Sequence, residues 1–382
     1  MKGLKNIDTY VDGVGVIKTD LAFENGIIKS LSGGVTSEIA KFDDNAVVVP
    51  GFIDEHIHGA NNFDTMDGDE ESIKGIAKAV AGEGTTSFLA TTMTQSVENI
   101  SKSLSSVANY ISSNSPEGAE VLGVHLEGPF ISPKCVGAQN PEFVELPSVE
   151  IFKKYQEISS NNIKILSIAP EVNGAEDLIK YAKDNGVICS IAHTKASYED
   201  CQKAIKWGAS GITHTYNAQT GLHHRDVGVV GTALLNDEVY TEIICDTIHV
   251  SVPAIKLLLK NKPKDKICLI TDSMRAKYLS DGESELGGQV VIVKNGEARL
   301  TDGTLAGSVL KMNVAVKNLV QQLGVNFTDA IDFASKNPAQ NLGVYDKLGS
   351  IKVGKRADFV VLDKNSFEVL LTVRNGEIIY QK

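Results

Sequence analysis

Eight apolar, β-branched runs recur along the chain with room for one helix between each pair, and this rhythm restricts the fold more than any other feature. They cover residues 51–58, 84–92, 121–128, 163–171, 187–194, 211–217, 241–249 and 267–272. Most are nearly continuous in apolar character, as strands of a parallel sheet buried on both faces are. Between them the spacing turns helical. Ile73, Ile76, Ala77 and Val80 follow an i, i+3, i+4, i+7 pattern, as do Cys201, Ala204, Ile205 and Gly208, and Ile255, Leu258 and Leu259 give a shorter version. Eight strands alternating with helices predict an α/β protein with a closed (β/α)8 barrel. An open doubly wound sheet is the alternative, but no Gly-x-Gly-x-x-Gly follows the first run.

The two ends read differently. Residues 1–49 and 345–382 hold short strands and turn signals, with Asn25-Gly26 and Asn375-Gly376 as hairpin turns. Neither end carries enough apolar surface alone, so together they are expected to form a small β-sandwich domain beside a barrel of residues 50–344. A further hairpin around Asn295-Gly296 follows the eighth run, where it overhangs the barrel mouth. The net charge of −11 makes nucleic acid or an anionic membrane a poor partner. It also means that cations holding an anionic ligand must be local and few. The first residues lack an apolar leader and no apolar run reaches 18 residues. The five cysteines are odd in number and scattered, as reduced core thiols are. A cytoplasmic protein is the expectation.

The chemistry concentrates at the ends of the runs. His56-Ile57-His58 closes the first, and residues two apart on a strand face the same way, so both imidazoles can reach one ion. A His-x-His alone is weak. Its company is stronger: Glu127 ends the third run, His193 the fifth, His214 the sixth and Asp272 the eighth. Barrel enzymes gather their sites at the carboxyl ends of the strands. Six such groups buried together without a cation would cost several kcal/mol apiece, by the ~2–7 kcal/mol penalty for an unpaired polar group. Nitrogen and carboxylate donors without thiolate suit Zn²⁺ or Fe²⁺, one or two ions per chain. Glu127 is placed to bridge two ions, with His56 and His58 on one and His193 and His214 on the other. Asp272 is the candidate catalytic acid and base, taking a proton from water and delivering it to a leaving nitrogen. Neither a Gly-x-Ser-x-Gly nor a Walker-type loop offers a rival mechanism.

These motifs resemble the amidohydrolase superfamily, through Pro50-Gly51-Phe52-Ile53-Asp54 leading into His-x-His and through Gly354-Lys355-Arg356-Ala357-Asp358. Within it, longer stretches resemble the N-acetylglucosamine-6-phosphate deacetylase family. They include His125-Leu126-Glu127-Gly128-Pro129-Phe130, Thr213-His214-Thr215-Tyr216-Asn217-Ala218, Asp246-Thr247-Ile248-His249 and Leu269-Ile270-Thr271-Asp272. The resemblance implies hydrolysis of the acetamide of N-acetylglucosamine 6-phosphate to glucosamine 6-phosphate and acetate. It implies metal ligation by Glu127, His193 and His214, and a two-ion site because both His56 and His58 are kept. It further implies phosphate contacts from Asn217, the Ala218 backbone, Arg225 and His249, and a sugar contact from Gln139. The arginine of such enzymes can come from a neighbouring subunit, so a homodimer is expected. His125 shares a face with Glu127 and is expected to orient a ligand or the acetyl group rather than bind metal.

The sequence departs from the family pattern at Gln219, Thr247, Ser273 and Asp226-Val227, none of which removes a ligand. Gln219 and Thr247 are expected near the sugar, which leaves the galactosamine epimer open as substrate. Hydrolysis of a cyclic amide or an aminopurine is a more distant alternative. Enzymes of the cyclic-amide kind often bridge their metals with a lysine on the fourth strand, and here Lys164 stands at the start of that run, far from the mouth. A binding or scaffold protein on the same barrel is opposed by the complete ligand set.

Overall fold

The computed structural model describes residues 1–113 and 117–382. Eight parallel strands alternate with helices in the expected order: β1 (Phe52–Ile57), α1 (Glu70–Ala81), β2 (Thr85–Thr91), α2 (Val97–Ser112), β3 (Glu120–Glu127), α3 (Val149–Ile158), β4 (Ile163–Ile168) and α4 (Ala175–Asp184). They continue with β5 (Ile188–Ile191), α5 (Tyr198–Trp207), β6 (Gly211–Ile212), α6 (Gly228–Leu235), β7 (Tyr240–Ile244), α7 (Val252–Asn261) and β8 (Ile267–Ile270). Helices α8 (Met312–Gln321), α9 (Phe327–Ala334) and α10 (Lys336–Asn341) complete the shell.

Local chemistry explains the helices. Asp69 caps α1 by accepting from the Ser72 N–H, Glu70 and Glu71 suit its positive end, and Ile73, Ile76, Ala77 and Val80 are fully buried on one face. Ser197 and Asp200 form a reciprocal capping box at the start of α5. Gly208, expected inside that helix, instead closes it at φ 127°, a conformation that favours glycine.

The strands pair consecutively from β1 to β8 in parallel register. The barrel closes between its first and last strands just past their ends. The Asp272 N–H donates to the His56 carbonyl at 2.9 Å, and the His58 and Gly59 N–H groups donate to the Ser273 carbonyl, each at 2.9 Å. Deeper in this seam, the buried Asp54 carboxylate accepts from the Thr271 hydroxyl and N–H.

Several strands stop earlier than the apolar runs suggest. The run 211–217 is extended only over Gly211–Ile212, and 241–249 only to Ile244. The chain leaves the sheet where expected ligand residues turn left-handed: His193 has φ 43°, His214 φ 29° and Asp272 φ 48°.

Both ends of the chain build the small domain. Their strands run edge to edge in one mixed sheet, in the order Glu377–Gln381, Val369–Arg374, Phe359–Asp363, Ala46–Pro50, Lys2–Val11, Gly15–Glu24 and Ile27–Ser30. One face packs Leu4, Leu21, Phe23, Val48, Phe359 and Leu371 into their own core. The other sets Val47, Val49, Val360 and Leu362 against α8 and α9, through Val316, Ile331 and Phe333. At Asn25-Gly26, Asn295-Gly296 and Asn375-Gly376 both residues have positive φ, as two-residue hairpin turns require. The inserted strands Gly282–Leu286, Gln289–Lys294 and Glu297–Leu300 form an antiparallel sheet seated on Met93 and Met274. The five cysteines are unpaired. Among the described residues, no helix is long and apolar enough to cross a membrane.

Candidate metal centre

The six expected ligands meet at the carboxyl end of the barrel. His56 lies within β1 and His58 just beyond it, Glu127 ends β3, and His193, His214 and Asp272 each stand two residues past β5, β6 and β8. All six are buried, Asp272 the least so at 9% exposure.

Their separations fit a cation better than a hydrogen-bonded core. Donors sharing a tetrahedral zinc-sized ion stand about 3.4 Å apart when metal–ligand distances are about 2.1 Å. Glu127 Oε1 is 3.2 Å from His193 Nε2 and 3.1 Å from His214 Nε2, and the two nitrogens are 3.1 Å apart. On the other side of Glu127, its Oε2 is 3.4 Å from His58 Nε2, which is 3.2 Å from Asp272 Oδ1. His56 Nε2 lies 3.6 Å from Glu127 Oε1 and 3.5 Å from Asp272 Oδ1, too far to bond to either. It is a buried nitrogen without a hydrogen-bonding partner among the described residues. Glu127, His193 and His214 make one convergent trio and His56, His58 and Asp272 a second. The donor set fits one or two divalent ions.

Hydrogen bonds at the far ring nitrogens aim two of these imidazoles. His193 Nδ1 donates to the Cys135 carbonyl at 3.3 Å, and His56 Nδ1 donates to Glu242 Oε2 at 2.9 Å. Each leaves Nε2 facing the cage. The electrostatics are those of a cation site holding protons. Burial works against the Glu127 carboxylate, but the His56 and His193 charges and the imidazole hydrogen bonds hold it well below the usual carboxylate range. Burial likewise opposes ionisation of Asp272, and His56, His58 and His214 bring it down to about 2. Burial disfavours the His56 imidazolium, yet Glu242, Glu127 and Asp272 push it up to about 9. Anions that raise imidazoles this way attract a metal ion in their place.

A cavity of about 200 Å³ opens over the ligands. Gln139, Asn217, Ala218 and His249, all expected at the substrate, line it with Met93, Leu286, Thr304 and Leu305. His249 is anchored from behind. Asp246 accepts from its Nδ1 at 2.6 Å and from the Ile248 and His249 N–H groups at 2.8 Å. Gln139 is held on both sides, donating to Glu127 Oε2 at 2.7 Å and accepting from the Thr94 N–H at 2.6 Å.

Other expected residues lie elsewhere. Arg225 does not line the cavity of its own chain; it is exposed beside His224, 2.7 Å from that ring. His125 sits beneath His56, its nitrogens 3.0 Å from the Glu55 carbonyl and 2.8 Å from Ser167 Oγ. Its ring packs against that of His56, and it does not line the cavity. Gln219 and Thr247 are likewise absent from the cavity wall; the Gln219 amide bonds to the Thr213 carbonyl. Sequence reasoning passed over Glu242, Asp246 and the hydrophobic wall. The one signal for Glu242 was an acid near the start of the apolar run 241–249.

The amidohydrolase family model matches residues 47–379. The chain is 45% identical over 338 residues to an N-acetylglucosamine-6-phosphate deacetylase of Bacillus subtilis, covering 88% of this chain and 85% of that protein. It is 39% identical over 321 residues to an N-acetylgalactosamine-6-phosphate deacetylase of Escherichia coli O157:H7, covering 84% of each. The crystal structure of the N-acetylglucosamine-6-phosphate deacetylase of Thermotoga maritima superposes with a TM-score of 0.90 at 35% identity, over the whole of both chains. With Glu127 and the strand-end histidines converging as the motifs require, the chain belongs to the amidohydrolase family.

Proposed function

We propose that this chain is an N-acetylglucosamine-6-phosphate deacetylase, cleaving the acetamide to give glucosamine 6-phosphate and acetate. The observation that carries the proposal is the placement of Glu127, His193 and His214 beside His58 and Asp272 at the floor of one cavity whose wall holds Asn217, Ala218 and His249. Amidohydrolases are generally metal-dependent, and the donors here suit Zn²⁺ or Fe²⁺. A bound divalent ion supplies an activated water and polarises the amide carbonyl.

The chain's own residues do the rest. Asp272 is ionised by its imidazole neighbours, so it can accept a proton at its carboxylate and return it to the departing nitrogen. His249 has its Nδ1 committed to Asp246, which turns Nε2 toward the cavity and a phosphate oxygen. Asn217 and the left-handed Ala218 backbone complete that end of the pocket. Arg225, exposed and outside its own cavity, serves in this reading as the guanidinium that a second copy of the chain places on the phosphate. Homodimerisation, a cytoplasmic setting and a boundary between residues 1–49 with 345–382 and the barrel 50–344 belong to the same proposal.

The 39% identity to an N-acetylgalactosamine-6-phosphate deacetylase supports the epimer as a second reading. The deciding experiment follows acetate release by metal-reconstituted protein from N-acetylated glucosamine and galactosamine, each with and without the 6-phosphate. Preference for the glucosamine phosphate is expected. Preference for the galactosamine phosphate selects the second reading, and no release from any of the four defeats both.

A further inference from the structure

Among the described residues, Glu242 is the one buried carboxylate that touches members of both trios without belonging to the expected cage. It points inward from β7 and is 4% exposed. Its Oε2 accepts two hydrogen bonds, from His56 Nδ1 at 2.9 Å and from the His214 backbone N–H at 3.1 Å. Its own carbonyl accepts the Thr215 N–H at 2.9 Å. The β6–β7 ladder ends at the pairing of Ile212 with Thr241, so beyond that point the Glu242 carboxylate and carbonyl take the place of the ladder.

Two consequences follow from this geometry. A carboxylate can only accept, so it keeps a proton on His56 Nδ1, and it is Nε2 that gives up the second imidazole proton and turns its lone pair toward Glu127 and Asp272. The second concerns His214, a non-glycine residue at φ 29° whose backbone needs an outside partner to stay in that region. Glu242 supplies it. His56, His125 and Glu242 also come close together, but this group is no separate ion site, because both His125 nitrogens are engaged by Glu55 and Ser167.

We propose that Glu242 is a positioning residue that sets the affinity of the metal cage by holding His56 and His214 at once. This rests on the metal-site reading. Outer carboxylates of this kind change metal affinity by roughly 10- to 100-fold when removed. The test compares the unsubstituted protein with Glu242→Gln, which keeps the shape and one acceptor oxygen, and Glu242→Ala. Each is stripped with chelator and titrated with Zn²⁺ against a chromophoric competitor, well below its melting temperature, with bound zinc counted by mass spectrometry. A drop in Zn²⁺ affinity of about 10-fold for Gln and up to 100-fold for Ala is expected, with metal-free Glu242→Gln still folded at the titration temperature. If the Ala variant does not fold, the Gln variant alone decides. A Gln variant that titrates like the parent overturns the role of Glu242. An unsubstituted protein that binds no zinc overturns the metal reading itself, and this inference with it.

Discussion

His193, His214 and Asp272 each carry a left-handed backbone that costs an ordinary residue about 1–2 kcal/mol. Such strain persists only where neighbours impose it, and here it bends three chain segments so that their side chains face the same cavity. Asp272 then stands ionised between two imidazoles. Asp272→Asn is expected to keep the fold but lower kcat by roughly 10²- to 10⁴-fold, the range for losing a general acid and base. Near-normal turnover in a steady-state assay would remove the acid–base role. For the proposed phosphate site, Asp246→Asn behind His249 and Arg225→Ala across a proposed dimer should each chiefly raise KM for the phosphorylated sugar. An equal effect on the unphosphorylated sugar would place neither residue at the phosphate. The residues that converge here were legible in the sequence because they are His, Asp or Glu at or near the ends of apolar runs, His56 and His58 as a pair. Glu242 was not, because its significance lies in a contact between residues 186 positions apart.

Among the elements, the barrel units were legible because both periodicities are strong. The ends of the strands were not, since a run such as 211–217 stays apolar after the backbone has left the sheet. Arg225 shows a related limit: the resemblance allowed it to act within its own chain or from a neighbour, and only the folded chain shows it outside its own cavity. The inserted three-stranded sheet is seated through Leu286, 2% exposed, which also lines the cavity. Leu286→Ala removes that anchor at a cost of ~2–5 kcal/mol. Because the loss falls on a local unit, hydrogen exchange at 282–300 should rise and KM with it, while zinc content stays unchanged. Lost zinc would mean that the insert supports the cage directly.

For the whole molecule, the cage makes stability depend on both pH and metal. His56 is raised in the metal-free fold, so its stabilising contribution is full below its ordinary value of 6.5 and is lost as pH climbs to about 9. Asp272 has the opposite sign: its contribution is present above 3.8 and is lost as pH falls toward about 2. Metal-free protein should therefore show a falling Tm between pH 6.5 and 9, and zinc should flatten that slope by replacing the proton. A slope that zinc leaves untouched in thermal scans would separate the imidazoles from the ion. The terminal sheet was anticipated as a domain from both chain ends, yet its packing on α8 and α9 ties it to the barrel more closely than turn signals reveal. The join between the first and last strands carries ligands on both lips, His56 and His58 on one and Asp272 on the other. An ion held by all three would work as a buckle on the hoop of strands, so stripping it should loosen the barrel first along that line, with amide protection fading at 56–59 and 271–273 before anywhere else in the wall.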